Sequence, residues 1–374
     1  MLLFVVLLCG CNKQYKAKKD SSFSTIGVDF DEKKSTESNY WFSQLEIIPL
    51  ETKDNSLLSL DKGFKIQYFE NNFYILDKGQ NDIFVFDSYG NHKYNSKQKK
   101  GGGPEEYHMI YDFDINRETR EIEILDIAVY KIKKYNLDFT YIDNITLPED
   151  VYPIKNFKII SSKMYCFYHT PQQIEKPALK IYYSDENKIQ EYLVLKKDKR
   201  PSTQSDPFYV YNDQVYFTYS FPNEELFQIC ENGENIVNKV LEYDLGKYTL
   251  SFDKKIDESI FTPDFFNRYS DYVFLTNKYE NNECYYNYIF YDNKYFMLKC
   301  NKETKEQDLI SGEFSDSGVL LSPFFIDDLY FYVLASPEYL KEVVSLKLLD
   351  EKSKKILENI SVDDNPVILK YYLK

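Results

Sequence analysis

The sequence is short of the residue types on which many catalytic and binding sites depend. Its 374 residues include 3 histidines, 12 glycines, a single tryptophan and only four arginines, Arg117, Arg120, Arg200 and Arg268. So few histidines argue against a metal site built from converging imidazoles, and no three arginines are placed to grip one carboxylate. Acidic residues outnumber basic ones by 60 to 46, for a formal charge of −14. This charge argues against a nucleic-acid partner, because phosphates require a basic face.

Aromatic residues, by contrast, are abundant. The chain contains 36 tyrosines and 28 phenylalanines, and such residues favour the pleated, half-buried surface of β-strands over helices. A strand-rich unit also repeats: Ile75-Leu76-Asp77 and the strand Ile83–Asp87 recur 49 residues later as Ile124-Leu125-Asp126 and Ile132–Asn136. A strand-rich repeat of 40 to 50 residues is typical of a β-propeller blade.

Strand patterns continue along the chain and predict an all-β fold, a six-bladed β-propeller with short helical insertions. One strand, Phe42 to Leu50, precedes the first complete blade, and another, Pro366 to Leu373, follows the last. Pairing these N- and C-terminal strands would close the ring and remove two exposed sheet edges. The predicted insertions are a short helix after Thr262-Pro263 and an amphipathic helix opening at Ser336-Pro337, with apolar residues up to Leu357.

The N-terminal part predicts export and a lipid anchor. Residues 1–11 are apolar and uncharged, too few to span a bilayer but suited to a signal peptide, and they end in Leu8-Cys9-Gly10-Cys11, which looks like a bacterial lipobox. We therefore expect acylation at Cys11, a flexible tether over residues 12–40 and the propeller over 41–374. The tether begins with basic residues, so we expect an outer-membrane lipoprotein that faces the periplasm.

The chain resembles the six-bladed β-propeller lipoproteins of Bacteroidota, relatives of the NHL-repeat propellers. The resemblance rests on Ile47–Thr52, Tyr74–Asp77, the loop Gly101–Tyr107, Tyr243–Tyr248 and Asp363–Leu369. In the loop, Glu105 stands where the family usually has glycine. The resemblance implies the fold and a lipid-anchored envelope protein, but no enzymatic activity and no catalytic residue.

The glycine-rich loop is the first candidate site. Gly101, Gly103, Pro104, Glu106 and Tyr107 are predicted to form a structural link between blades, in which Glu106 accepts backbone N–H bonds and Tyr107 wedges between the sheets. A phosphate cradle is the alternative, but no Gly-Lys-Ser/Thr follows and proline replaces the start of a helix.

Asp112, Asp114 and Asn116, with Glu123 at the twelfth position, imitate a calcium-binding loop. Arg117 occupies the position that needs glycine, and apolar residues alternate with the acids, so we interpret the segment as a strand hairpin. We predict no metal and no cofactor. Of the histidines, His92 falls in an outer turn and His108 in the inter-blade loop, whereas His169 is the one expected to face the channel.

Cys166, Cys230, Cys284 and Cys300 each lie within an apolar or aromatic run, and we expect buried free thiols, although four exported cysteines allow three disulfide connectivities. The function predicted is a monomeric, non-catalytic binding or scaffold module for glycan, peptide or envelope-protein partners, joined to the membrane by its lipid. The alternative is a hydrolase or lyase acting on glycan or peptide through paired carboxylates at the channel mouth.

Overall fold

The computed structural model describes residues 23–28, 30, 41–59, 61–169, 177–194, 200–201, 206–218, 220–221, 224–233, 235–250, 263–311, 323–340 and 344–374. Six small sheets are arranged in a ring, so the prediction of a six-bladed β-propeller is confirmed. The strands are numbered β1 to β27 in chain order, and the first strand of each blade lies innermost, against the central channel.

Blades one to three follow one plan, four consecutive antiparallel strands each. Blade one comprises β3 (Phe64–Phe69), β4 (Asn72–Asp77), β5 (Asp82–Asp87) and β6 (His92–Asn95). Blade two comprises β7 (Ile110–Asn116), β8 (Glu121–Asp126), β9 (Lys131–Asn136) and β10 (Tyr141–Thr146). Blade three comprises β11 (Asn156–Ser161), β12 (Met164–Tyr168), β13 (Pro177–Tyr183) and β14 (Lys188–Val194).

Blades four to six vary the plan. Blade four comprises β16 (Phe208–Tyr211), β17 (Gln214–Phe217), β19 (Glu225–Ile229), β20 (Val237–Asp244) and β1 (Ser24–Gly27). A separate pair is formed by β15 (Arg200–Pro201) and β18 (Ser220–Phe221). Blade five comprises β21 (Phe274–Glu280), β22 (Cys284–Tyr291), β23 (Lys294–Asn301) and β24 (Gln307–Ser311). Blade six comprises β25 (Phe325–Ile326), β26 (Tyr330–Ala335), β27 (Val367–Leu373) and β2 (Phe42–Pro49).

Blade six closes the ring as predicted, because β2 from the start of the chain pairs antiparallel with β27 from its end. The outer edge of β2 is covered in turn. Leu45 forms a bridge to Leu349, and the Ile47 N–H donates to Ser353 Oγ at 3.1 Å. Covering this edge satisfies backbone groups that could otherwise recruit another strand.

The apolar core is divided among the junctions between blades. Phe73 and Ile75 of blade one pack with Tyr332 and Ile368 of blade six, and equivalent clusters join each of the other five neighbouring pairs. Each blade therefore buries its faces against its two neighbours, which is how a repeat architecture is stabilised.

Two details differ from the sequence-based expectation. Ser24–Gly27, within the stretch predicted as a tether, forms β1 and pairs in parallel with the outer strand β20. The described residues of the stretch predicted as an amphipathic helix from Ser336 include two 3-10 turns, Pro337–Tyr339 and Leu346–Leu348, and a helix over Glu351–Asn359. That helix starts late because Asp350 is its N-cap and accepts the Ser353 N–H. The other helix, Pro263–Arg268, begins at the proline, as expected.

The four cysteines of the propeller are free, and Cys166, Cys284 and Cys300 are buried. Cys284 packs in the core between blades five and six, whereas Cys300 packs in the core between blades four and five. The two thiols therefore lie on opposite faces of one sheet and cannot form a disulfide with each other.

Candidate functional site

A cavity of about 380 Å³ occupies the centre of the ring. Its lining includes at least one residue from the first strand of every blade: Ile66, Asp112, Lys158, Tyr209, Lys278 and Ile326. We call the end of the channel where these strands begin the upper end and the opposite end the lower end. The volume falls within the range of small-molecule sites, so the channel is large enough to hold a small ligand.

Asp112 connects three blades at the channel wall. Its Oδ1 accepts from Lys65 Nζ at 2.9 Å and from the Phe113 N–H, and its Oδ2 accepts from the Phe157 N–H at 3.0 Å. The residue is only 2% exposed. Both carboxylate oxygens are thus committed to neighbouring strands, and little of the group can reach a ligand.

Lys65 stands between two carboxylates, Asp112 and Asp206, at Nζ to oxygen distances of 2.9 and 3.2 Å. Burial by itself would lower the pKa of Lys65, but the charges of Asp112, Asp206 and Asp114 outweigh it and raise the pKa. Burial, together with the Asp206 charge, raises the pKa of Asp112. Lys65 therefore remains an ammonium that holds the two acids in place.

Asp114 makes the same kind of connection one pleat further along β7. It accepts from Lys158 Nζ at 2.6 Å, from Gln67 Nε2 at 2.7 Å and from the Ile159 N–H at 2.8 Å. Burial opposes ionisation, but the Lys158 and Lys65 ammoniums and these hydrogen bonds hold the pKa of Asp114 below its ordinary value. Asp114 is therefore an ionised group that links β7 to β3 and β11.

Asp112 and Asp114 accept backbone N–H groups that the neighbouring strand β11 cannot pair within its own sheet. Strand β11 is the inner edge of its sheet, so the N–H groups of Phe157 and Ile159 have no neighbouring strand to pair with. An unpaired buried N–H costs about 1–3 kcal/mol. The alternating acids of β7 accept both N–H groups, which gives the Asp-x-Asp pattern a structural role.

The calcium-like motif accordingly forms a strand hairpin, as the sequence indicated. Asp114 on β7 and Glu123 on β8 are register partners, and Glu123 accepts from Asn116 Nδ2 at 3.0 Å. Among the described residues, no three His, Cys, Asp or Glu side chains come close enough together to hold a metal ion.

At the lower end of the channel, Glu280 is also engaged. It accepts from Tyr209 Oη at 2.9 Å and from Lys302 Nζ at 2.5 Å. Arg117 lies nearby over the Phe69 ring and donates to the Tyr68 carbonyl at 3.4 Å. All three acids that line the cavity, Asp112, Asp206 and Glu280, therefore have basic partners.

The upper end is different, because it combines apolar with polar groups and two of them, Phe64 and Lys78, are exposed. Phe64, the first residue of β3, is 41% exposed, and Lys78 follows its register partner Asp77. Besides Phe64 and Lys78, this end of the cavity is lined by residues at the start of the inner strands of blades three, four and six: Asn156, Asp206, Pro207, Pro323 and Phe324.

The charge of this cavity opposes that of the whole chain. Five of its lining residues are cationic and three are anionic: Lys65, Lys78, Arg117, Lys158, Lys278, Asp112, Asp206 and Glu280. Within the part of the chain that the structure describes, the exposed Lys78 side chain forms no ion pair. The lining thus carries two more positive than negative groups, one of them balanced by Asp114 behind Lys158, in a protein of net charge −14.

The loop predicted as a structural link lies between blades one and two. The Gly101 N–H donates to the Tyr107 carbonyl at 3.0 Å, and the Gly103 N–H donates to Glu106 Oε2 at 2.8 Å. Pro104 presents its carbonyl to Lys133 Nζ at 2.9 Å. None of these residues lines the channel cavity.

Tyr107 is fully buried in the core between the two blades. Its hydroxyl donates to Asp82 Oδ1 at 2.8 Å and shares a 2.7 Å hydrogen bond with Ser96 Oγ. Burial, despite the Ser96 hydrogen bond, raises the pKa of Tyr107, so the hydroxyl stays protonated and keeps this donor role. The loop is therefore fixed at its Tyr107 end by buried polar contacts.

The three histidines lie in different parts of the structure. His92 is on the outer strand β6, and His108 lies beside Asp126, with 3.5 Å between Nδ1 and the carboxylate. His169 was expected to face the channel, but it is buried behind the end of β12 and does not line the cavity. Its Nε2 has no hydrogen-bond partner among the described residues, and burial, reinforced by the Lys180 charge, lowers the pKa of His169 to about 4.

Sequence reasoning missed the residues that line the channel. Lys65 and Asp112 are 47 positions apart, and only the convergence of the inner strands brings them together. The one available signal was the repeat, because 47 residues is close to its 49-residue period. Cys11, the expected lipid site, lies outside the described residues.

Comparisons with known proteins agree with this architecture. No curated protein matches the sequence. A protein from Bacteroides fragilis NCTC 9343, named for its inferred export, shares the fold with a TM-score of 0.70 and 18% identity over 94% of this chain and 100% of its own. A member of the duf4221 family from Bacteroides vulgatus ATCC 8482 gives a TM-score of 0.51 and 10% identity, covering 88% of this chain and 98% of its own.

These likenesses show the fold alone. No helix within the described ranges is long and apolar enough to cross a membrane. The family comparison is more specific, because one family pattern matches residues 23–372, from β1 through nearly the whole of β27. The chain belongs to the family described as domain of unknown function DUF4934.

Proposed function

We propose that this protein is a lipid-anchored propeller of the cell envelope that binds a glycan, a peptide or an envelope-protein segment at the upper end of its channel, without catalysing a reaction. The observation that carries the proposal is the contrast within one cavity. The channel acids are engaged by lysines and backbone N–H groups, whereas Phe64 and Lys78 at the upper end are exposed. Exposed aromatic and cationic groups at the mouth of a cavity are suited to recognising a ligand.

The enzyme alternative requires two carboxylates that are free to act as acid and base or nucleophile. Asp112 and Asp206 flank the same lysine in the channel, so they form the pair that comes nearest to this requirement. Yet Asp112 is almost fully buried, and each of its oxygens already accepts a hydrogen bond. A group held in this way cannot approach a scissile bond without breaking the junction between blades, and this favours binding over hydrolysis or elimination.

The expected location is the outer membrane, with the propeller facing the periplasm and acting as a monomer. Support comes from the lipobox-like Leu8–Cys11 and from the name of the similar Bacteroides fragilis protein. Membership of the NHL-like lipoprotein group of Bacteroidota belongs to the same proposal. It adds an envelope setting to the fold but no ligand.

A binding screen tests the central part of the proposal. The protein is titrated with glycan fragments and envelope peptides, and Phe64→Ala is measured beside wild type, with Tyr89→Ala as the control because Tyr89 is exposed on an outer turn of the same blade. We expect saturable binding that Phe64→Ala weakens and Tyr89→Ala preserves. Turnover of a bound glycan or peptide that is lost in Asp206→Asn would instead support the enzyme alternative.

The anchor is tested separately. Cys11→Ala should move the protein from the membrane fraction to the soluble fraction, since the variant lacks the cysteine at the predicted acylation position. Cys9→Ala is the matched control and should leave fractionation unchanged. Membrane association that survives Cys11→Ala would refute lipidation at this residue.

A further inference from the structure

The charge and shape of the upper channel indicate which class of ligand it accepts. We propose that it binds a small anionic molecule of about sugar size, carrying a carboxylate or a phosphate, with the Lys78 ammonium facing the anion and the Phe64 ring against an apolar face of the ligand. This inference rests on the proposed binding function and deepens it.

Charge complementarity is the first argument. The two acids near this end, Asp112 and Asp206, share Lys65, and Asp206 also accepts the Phe208 N–H at 3.1 Å. Lys78 lines the same cavity from an exposed position and forms no ion pair with any described residue. An anion placed in the cavity would give the Lys78 ammonium an ionic partner, which no described residue provides.

A second ammonium strengthens the argument. Lys155 directly precedes Asn156, which lines the cavity, and its Nζ lies 5.6 Å from the centroid of the Tyr168 ring. Burial lowers the pKa of Lys155, the charge of Lys78 lowers it further, and Asp206 opposes both. Lys155 therefore adds positive charge beside the upper end of the channel, where the Asp206 charge partly offsets it.

The shape of the cavity sets the size of the ligand. A volume of about 380 Å³ lies near the lower limit of known small-molecule pockets and suits a single sugar ring better than a folded protein segment. Phe64 offers an exposed ring on one side, and Pro207, Pro323 and Phe324 line the cavity from blades four and six. A molecule with an apolar ring face and one charged substituent matches this combination.

Three probes of similar size separate the possibilities. D-glucuronate, glucose 6-phosphate and neutral D-glucose are titrated calorimetrically into wild type, Lys78→Ala and Lys93→Ala. Lys93 is the control because it lies on the outer strand of the same blade, where it donates to Asn72. Urea unfolding of each variant verifies that the fold is intact, and the titrations are repeated at raised salt.

We expect at least one charged probe to bind, with affinity about tenfold weaker in Lys78→Ala and within twofold of wild type in Lys93→Ala. Raised salt should weaken this binding, because the interaction is electrostatic. Preference for glucuronate indicates a carboxylate ligand, and preference for the phosphate indicates a phosphorylated one.

The inference is overturned if D-glucose binds as tightly as the charged probes, or if Lys78→Ala binds them like wild type. In either case a ligand found in the wider glycan and peptide screen would leave the proposed binding function standing. Absence of binding by all three probes also overturns the inference, and absence in both experiments overturns the inference and the proposed function together.

Discussion

The polar residues of this propeller fall into two regions that differ in what they contact. Along the channel wall and at the blade junctions, charged and hydroxyl groups such as Asp114 and Tyr107 are buried, and each is held by several partners. At the upper end, Phe64 and Lys78 are exposed, and Lys78 has no ionic partner among the described residues. Burial and pairing, not residue type, therefore separate the groups that hold the ring together from those available to a ligand.

The largest effect on stability is expected from removing the Asp114 carboxylate, which connects three inner strands at the channel wall. Asp114→Ala leaves the Lys158 ammonium and the Ile159 N–H without their acceptor inside the protein. We expect a loss of about 3–5 kcal/mol in the free energy of unfolding, measured by urea denaturation. Asp185→Ala removes an exposed partner of Lys163 and should cost about 0–1 kcal/mol. Equal effects of the two changes would mean that the wall is not structural.

A smaller effect is expected at the junction of blades one and two. Tyr107→Phe keeps the ring in the core but removes the hydroxyl that contacts Asp82 and Ser96. The buried Asp82 carboxylate then lacks a donor, and we expect a cost of about 1–3 kcal/mol by urea denaturation. Tyr89→Phe is the control, because that side chain is exposed, and a cost as large there would contradict this explanation.

A still smaller effect on stability is expected in the glycine-rich loop, where two neighbouring glycines can be compared. A Cβ at Gly101 would lie 2.1 Å from Glu106 Oε2, whereas at Gly102 the nearest atom is 3.9 Å away. Gly101→Ala should displace the Glu106 carboxylate from the Gly103 N–H and cost about 1 kcal/mol. Gly102→Ala should change the unfolding free energy by less than about 0.5 kcal/mol. If Gly102→Ala proves the more damaging, the loop is held by other contacts.

The last effect concerns a buried base and depends on pH. The pKa of His169 falls from 6.5 to about 4 in the folded protein, first because of burial and then because of Lys180. The unfolded chain therefore binds the proton more readily, so the contribution of His169 to stability is present above pH 6.5 and is lost as the pH falls towards 4.

His169→Gln should accordingly flatten the decline of the melting temperature between pH 7 and pH 5. His108→Gln is the control, because the side chain of His108 is 43% exposed. The assignment fails if the His169→Gln variant and the wild type decline in parallel over this pH range.

Much of the ring was predictable from the sequence, for a physical reason. In blades one and two, Asp77 and Asp126 each accept an N–H from a residue 18 positions earlier, so the same local contact is encoded twice and appears as a repeat. Closure followed from counting strands, since a leftover strand at each end must be paired. In blade three, His169 follows the second strand at the end where the other two blades have an aspartate. The Leu-Asp marker is therefore missing there, and the sequence no longer shows the repeat.

The remainder could not be predicted, because it depends on contacts between distant parts of the chain. Strand β1 is only Ser24–Gly27, and it is ordered by pairing with Leu241–Asp244 rather than by its own pattern. The channel lining requires the spatial order of six inner strands, and no local motif marks Phe64 or Lys78 as exposed at the upper end. Spacing placed the calcium-like acids on a hairpin but could not identify their lysine partners.

The most direct test of the division between wall and upper end is a crystal structure of the protein grown with D-glucuronate. We predict density for the sugar at the upper end of the channel, with its carboxylate near Lys78 Nζ and its ring against Phe64, while Asp112 and Asp114 keep their partners. Density for the sugar in the groove that Tyr183 and Tyr192 line between blades three and four would contradict this division. So would a complex in which the Asp112 and Lys65 side chains have moved apart.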